Sequence, residues 1–337
     1  MGDWRGRPVA VSCGLRRVSM SPPSDSFIRF ESIYQTRVWG GRRLETRFGR
    51  ILPDSRLPYG ESWEISAREE ADCRVRGGSL DGRRLSELWA DPSLRRTIFG
   101  EDAPEAERFP LLCKILDARE KLSIQVHPPA SVAAALGGEP KTEVWYIADA
   151  DPGATLYVGV REGVDETRFR DAIATGRVES CVHALPVAKG QHLFLPSGRL
   201  HAIGAGLLIY EIQQSSDTTY RVYDWDRPGI DGRPRALHVE ESLKCIDFTD
   251  TAPAMGEVDG ELLVHCEHFR LEKHRLAAGG SVKEATRGRF AIVAVVDGAL
   301  GGKGARPGEG DFFLVPAGGG EGLRAEGEAE VLVTTWG

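Results

Sequence analysis

No apolar run in this 337-residue chain is long enough to cross a bilayer, which excludes a helical membrane protein. Basic residues do not dominate. The chain has 43 Lys and Arg against 50 Asp and Glu, a net charge of −7, which is not the electrostatic footprint of a nucleic-acid binder. The six cysteines, Cys13, Cys73, Cys113, Cys181, Cys245 and Cys266, form no C-x-x-C pair, so no thiolate zinc site or redox motif is present. Reduced thiols in the cytoplasm are the expectation. The N-terminal stretch lacks the apolar segment of a signal peptide. Residues 1–24, arginine-rich and closing on Ser-Pro-Pro-Ser, are expected to be a disordered extension, with Met20 a candidate start.

The chain is rich in glycine (40) and proline (19), which favours many turns and short strands over long helices. Its length suggests about two domains, each able to bury a core without disulfides. Strand-like pieces recur at Phe27–Phe30, Gly60–Ser66, Leu111–Leu116, Lys121–His127, Glu143–Ala148, Thr155–Gly159, Gln191–Leu195, Leu207–Ile212 and Tyr220–Tyr223. Helical spacing occurs in Ser86–Phe99 and Asp165–Thr175, with at most a short helix at Ser131–Leu136. Asp247–Glu257 is polar and reads as a linker. Beyond it only short strands and glycine-rich turns are expected, with no helix.

The segment Gly190-Gln-His-Leu-Phe-Leu-Pro-Ser-Gly198 is echoed by Gly310-Asp-Phe-Phe-Leu-Val-Pro-Ala-Gly318. Such a repeat of one supersecondary unit suggests a duplicated β-barrel.

Gln125 and His127 stand two apart in a strand, so both side chains share one face. Glu143 opens the next strand, and His201 follows a Pro-Ser-Gly turn. Two imidazoles, a carboxylate and an amide oxygen converging inside a small barrel suit zinc, or another divalent metal such as Mn or Fe. His183 and His192 fall near loop or strand edges, and His238, His265, His268 and His274 have no partner at a convincing spacing. The stretch Tyr210–Arg227 is too polar for a buried strand. It offers Glu211, Asp217 and Arg221, the last with a fork of donors suited to phosphate or an oxyanion. Lys114 and Lys141 precede the two ligand segments, and a lysine entering a barrel needs an anionic partner, which a phosphate would supply. The glycines of 298–310 lack the strand–turn–helix setting of a nucleotide site.

The segments LSIQVHPP (122–129), KTEVWYI (141–147), LPSGRLHA (195–202) and EIQQSSDTTYRVYDWDR (211–227), with GESWEIS (60–66), resemble type I mannose-6-phosphate isomerases of the short bacterial form. The likeness runs from about Phe27 to Phe248 and thins over the C-terminal part. It implies a mainly β fold of two cupin (jelly-roll) domains with a few short helices. Together with the polar linker, placed at 249–257, it implies a catalytic domain over 25–248 and a second domain over 258–337, which Glu321 at the offset of His201 marks as metal-free. By position it implies one zinc per chain, held by Gln125, His127, Glu143 and His201. Arg221, Glu211 and Lys141 take catalytic roles, and Lys114, Ser123, Asp217 and Glu61 line the sugar-phosphate pocket. The implied reaction interconverts D-mannose 6-phosphate and D-fructose 6-phosphate through an enediol(ate), on a small-molecule substrate, in the cytoplasm, by a monomer or weak dimer. Pro129 and Ala130 stand where many relatives carry acidic residues, and Glu321 stands as far past Gly310 as His201 stands past Gly190. An isomerase for another sugar, an iron-dependent cupin oxygenase and a non-catalytic sugar-binding bicupin are the alternatives on the same fold.

Overall fold

The computed structural model describes residues 25–302 and 304–337, so the expected extension over 1–24, with Cys13 and Met20, lies outside the described residues. Three antiparallel sheets lie face to face. The first runs in the order His192–Leu195, Glu143–Ala150, Leu207–Gln214, Leu111–Ala118, Ile33–Gly41, Tyr59–Ile65. The second runs Val182–Pro186, Thr155–Val160, His201–Ile203, Ile124–Val126, Tyr220–Tyr223. The third runs Ile28–Arg29, Phe312–Val315, Ala291–Asp297, Ala329–Thr335, Arg270–Leu276, Leu262–His265. A two-stranded ribbon, Leu300–Gly301 with Arg324–Ala325, closes against the third.

The period of two along each strand divides the side chains between layers. In Leu207–Gln214, Leu207, Ile209, Glu211 and Gln213 point one way and Leu208, Tyr210 and Ile212 the other. The first direction meets Leu156, Val158 and Ile203 of the second sheet. The other meets Leu271, Ile292, Leu332 and Phe312 of the third. Covered on both faces, the first sheet needs apolar residues throughout, which is why Leu111–Ala118 reads as a continuous apolar run broken only by Lys114 and Asp117. The first two sheets thus enclose one sandwich. The third sheet and the ribbon enclose another around Val293, Val295, Phe313, Leu323, Val331 and Val333. The mainly β architecture with few short helices is as expected. Among the described residues, no helix is long and apolar enough to cross a membrane.

The echoed segments take the same form. Gly190 and Gly310 have φ of 88° and 86°, Gly198 and Gly318 have 95° and 75°, and His192–Leu195 and Phe312–Val315 are strands. Those left-handed turns require glycine. Gly310 is also pressed against Phe48, where a Cβ would come within 2.7 Å of the ring, and its carbonyl accepts from Arg50. The junction between the sandwiches is therefore built partly on the echo itself.

Helices cover the outer surfaces. Ser86–Phe99 divides into Leu85–Ala90 and Pro92–Phe99, because Asp91 caps the second helix and Pro92 suits its first turn. Glu166–Ala174, capped by Asp165, packs with Val239–Cys245 on the outer face of the second sheet. The expectation of no helix beyond the linker is corrected by Val282–Thr286, five residues that are too few to show a helical period in sequence. The segment 249–257 contains no strand or helix of its own. Even so, Asp250 forks to Arg199, Ala252 donates to Val160 and Gly256 donates to His192. The five described cysteines are unpaired.

Candidate active site

Three strands of the second sheet and five of the first bring their inward residues to one cavity of about 310 Å³, within the range of small-ligand sites. Gln125 lines it, and both Gln125 and His127 meet His201, as their shared strand face predicts. His201 pairs across from Gln125, and Arg221 pairs with Gln125 from the other side. Pro128 and Pro129 end the Ile124–Val126 segment just past His127. Glu143 enters from the first sheet at the start of its strand.

His127, Glu143 and His201 are buried, and one donor atom from each lies within 4.8 Å of the others. Nε2 of His127 is 3.6 Å from Glu143 Oε2, and Nε2 of His201 is 3.7 Å from Oε1. Nδ1 of His127 donates to the Thr218 carbonyl and Nδ1 of His201 to the Arg199 carbonyl, each at 2.8 Å. Those bonds fix the tautomer that leaves an Nε2 lone pair facing Glu143. Burial lowers both imidazoles, His201 to about 3, so both are neutral donors at physiological pH. Burial opposes ionisation of Glu143, but Lys141 and then His127 outweigh it and hold the carboxyl well below its ordinary value. Neither oxygen of Glu143 receives a directed hydrogen bond, although Lys141 Nζ makes an ion pair at 2.7 Å. Two neutral imidazoles aimed at an ionised, unsatisfied buried carboxylate make a donor set that fits a divalent metal.

Gln125 completes the expected set with a twist. Its Nε2 faces His201 Nε2 at 3.4 Å, while its Oε1 accepts from Ser123 Oγ at 3.1 Å. An oxygen ligand here needs the amide turned over, an assignment the two ends of an amide make nearly equivalent.

Around this cluster lie alternating charges. Lys114 Nζ is 3.6 Å from Glu211, 3.7 Å from Asp217 and 3.8 Å from Glu61. Lys141 is 3.8 Å from Glu211. Trp145 Nε1 donates to Glu211 Oε2 at 2.9 Å. Burial and then the charge of Glu143 push the Glu211 carboxyl up, against the pull of Lys141 and Lys114. Burial also works against the charge of Glu61, yet Lys114 and Arg37 bring it down to about 2. Arg221 Nε donates to Ser123 Oγ at 3.1 Å, and that hydroxyl donates on to Gln125. The residues singled out in the sequence as metal-binding, catalytic or substrate-binding thus line this one cavity, except His127 and Glu143, which lie against its lining residues Lys141 and His201.

Arg37, Trp39, Arg235 and His238 also line it and were not legible beforehand. Arg37 and Trp39 sit on the irregular strand Ile33–Gly41, whose pairing shifts register twice against Tyr59–Ile65. Arg235 and His238 come from the loop before Val239–Cys245, where no period guides a reading. His274 is a correction outside the site. It does have partners, with Nδ1 3.0 Å from Glu261 and Nε2 3.3 Å from Glu272, the latter two residues away on the same strand face.

Residues 27–158 match the family model described as phosphomannose isomerase type I, catalytic domain. The chain is 39% identical over 275 residues to a mannose-6-phosphate isomerase of Streptococcus mutans, covering 80% of this chain and 84% of that one. It is 35% identical over 322 residues to a mannose-6-phosphate isomerase of Bacillus subtilis, covering 90% and 97%. The crystal structure of a mannose 6-phosphate isomerase from Bacillus subtilis superposes with a TM-score of 0.77 at 30% identity, over 92% of this chain and 99% of that one. With such identity over most of both chains, and the buried His–Glu–His cluster in the matched fold, this protein belongs to the type I phosphomannose isomerase family.

Proposed function

We propose that the protein is a zinc-dependent aldose–ketose isomerase that interconverts D-mannose 6-phosphate and D-fructose 6-phosphate. The observation that carries this reading is the pair of neutral imidazoles facing the unsatisfied Glu143 carboxylate, joined through His201 to a cavity bordered by lysines and arginines. His127, Glu143, His201 and, with its amide turned, Gln125 would hold one zinc per chain, which when bound supplies a Lewis acid for the substrate carbonyl.

The remaining chemistry falls to side chains. The reaction moves a hydrogen from carbon 2 to carbon 1 and a proton from the oxygen on carbon 2 to that on carbon 1, by way of an enediol(ate). Glu211 is the base assigned to the carbon proton. Its carboxyl is pushed up by burial and by Glu143, so its ionised form binds a proton more firmly than an exposed carboxylate does. Trp145 holds one of its oxygens and leaves the other toward Lys114 and Lys141. Lys141 lies between Glu143 and Glu211, where it can pass a proton between substrate oxygens. Lys114, Ser123, Asp217 and Glu61 form the wall that orients the sugar. Arg221 brings a cation bonded to Ser123 and, through it, to the amide of Gln125.

In the same reading, residues 25–248 form the catalytic domain, 249–257 a linker, and 258–337 a domain without metal. The cytoplasm, where thiols stay reduced, suits the five unpaired cysteines. The same reading takes the protein as a monomer or weak dimer. A coupled assay offering mannose 6-phosphate, glucose 6-phosphate and free mannose tests the substrate. Preference for mannose 6-phosphate is expected, and turnover of free mannose at an equal kcat/KM overturns the assignment.

A further inference from the structure

Lys141, Asp217 and the Thr218 carbonyl that fixes the tautomer of His127 come from two segments, 138–142 and 215–219, that belong to no strand or helix. Strand pairing therefore does not set their places. The two segments are laced to each other. Glu139 N donates to Thr218 Oγ1 at 3.0 Å, and Ser216 Oγ to the Glu139 carbonyl at 3.2 Å. Gln214 N donates to the Thr142 carbonyl at 3.1 Å, and Thr142 N to Gln214 Oε1 at 2.8 Å.

Two arginines fasten this pair of segments from outside the cavity. Arg68 Nη1 and Arg108 Nη2 both donate to the Ser215 carbonyl, at 3.0 and 2.9 Å. The same two nitrogens meet the Glu139 carboxylate. Arg68 Nη1 is 3.1 Å from Oε2, and Arg108 Nη2 bonds to Oε1. Each guanidinium thus bridges one group from each segment. Burial works against the charge of Glu139, yet Arg108 and then Arg68 hold its carboxyl below the ordinary value. Neither arginine lines the catalytic cavity. Arg108 and Glu139 instead line a second cavity of about 820 Å³, which shares no lining residue with the first.

Glu139 stands two residues before Lys141, and Ser215 stands two before Asp217 and three before Thr218. Three residues span only about 10 Å of extended chain, so a displacement at either fastening point is carried to those groups. A misplacement of about 1 Å at a reacting group costs on the order of 100-fold in rate. The hydrogen-bond partner of a metal-binding histidine is worth about 10- to 100-fold in metal affinity.

We propose that Arg68, Glu139 and Arg108 are positioning residues. Their clamp on the two segments sets where Lys141 and Asp217 stand and, through the Thr218 carbonyl, how His127 is aimed at the metal. This rests on the isomerase reading for the roles of Lys141 and Asp217. The side chains of Arg108 and Glu139 are 46% and 38% exposed, and a pair so exposed adds little to stability. Loss of function should therefore exceed loss of stability.

The test measures zinc affinity in the full chain by titration against a competing chromophoric chelator, together with kcat, KM and melting temperature. Wild type is compared with Arg108→Met, Arg108→Lys and Glu139→Gln. The control is Lys283→Met, which removes a similarly exposed cation from the second sandwich. Arg108→Met and Glu139→Gln should each weaken zinc binding about 10-fold, the lower end of the range because the effect passes through Ser215 to Thr218. At saturating zinc kcat should fall and KM move less, because Lys141 carries a proton rather than holding the sugar. Arg108→Lys, which keeps a cation beside Glu139, should recover part of the zinc affinity, and Lys283→Met should change none of these. If Arg108→Met does not fold, Glu139→Gln, which keeps the side-chain shape, carries the comparison. Zinc affinity unchanged in the folded variants overturns the proposal, and so does an equal loss in Lys283→Met. If wild type binds zinc but does not isomerise mannose 6-phosphate, the isomerase reading fails, and the zinc affinities still decide whether the clamp stands.

Discussion

In the first sandwich, the turn from Gly190 to Gly198 leads to His201, which is buried against Gln125 and Glu143. In the second, the matching turn from Gly310 to Gly318 leads to Glu321, an exposed residue paired with Lys283. The frames agree down to the sign of φ, but their contents differ. The inward positions of the first sandwich carry Glu61, Lys114, Glu143, Glu211 and His201, each with a partner of opposite or complementary charge. The inward positions of the second carry Val293, Val295, Phe313, Leu323, Val331 and Val333. A buried charge costs free energy unless it is answered, so an inherited barrel that binds nothing is expected to fill with aliphatic side chains. The backbone repeat therefore locates a barrel, and only its inward residues say whether the barrel has a site.

This contrast can be broken at several points. The largest effect is expected from His201→Ala. Metal content by mass spectrometry should fall below stoichiometry, by more than the about 10- to 100-fold loss of affinity typical of removing an outer-shell partner. Glu321→His in the second sandwich should leave one metal per chain. Metal retained at full stoichiometry by His201→Ala removes it from the ligand set.

Glu211→Gln keeps the shape and the Trp145 contact but removes the base. Turnover should fall about 10²- to 10⁴-fold with metal still bound. Near wild-type turnover would place the base elsewhere.

Leu323→Ala hollows the second sandwich. The expected cost is about 2–5 kcal/mol in chemical denaturation, with metal content unchanged in the folded protein. Loss of metal with that variant would mean that the two sandwiches do not divide structure from chemistry as described.

The pH dependence of stability separates them further. Glu61 has its folded pKa lowered from 4.5 to about 2. Its contribution, about 3 kcal/mol, is fully present above pH 4.5 and is lost as the pH falls toward 2. The melting temperature of Glu61→Gln should therefore approach that of wild type as acid is added through this window. A gap between the two proteins that stays constant with pH would contradict the ion-pair origin. By contrast, the exposed Lys283–Glu321 pair should be worth less than about 1 kcal/mol.

Much of this was legible in the sequence because it rests on short periods. Gln125 and His127 share a face because a strand repeats every two residues, and the glycine echo marks turns that only glycine makes easily. Glu143, His201 and Arg221 stood out as polar groups in or beside apolar strands. The cavity's Arg37, Trp39, Arg235 and His238 did not, because irregular backbone brings them there: a strand whose register shifts against its neighbour, and a loop held by Asp224. His274 looked partnerless because Glu261 is far in sequence and Glu272 meets it only when the strand is extended.

The central claim is that the buried His–Glu–His cluster holds the metal that makes this cavity an isomerase. It is tested most directly by following mannose 6-phosphate isomerisation and metal content together, through chelation and stepwise return of zinc. The account predicts that activity disappears with the metal and returns in proportion to it, reaching its plateau at one zinc per chain. Full activity in protein stripped of metal, or no activity at one bound zinc per chain, would contradict it.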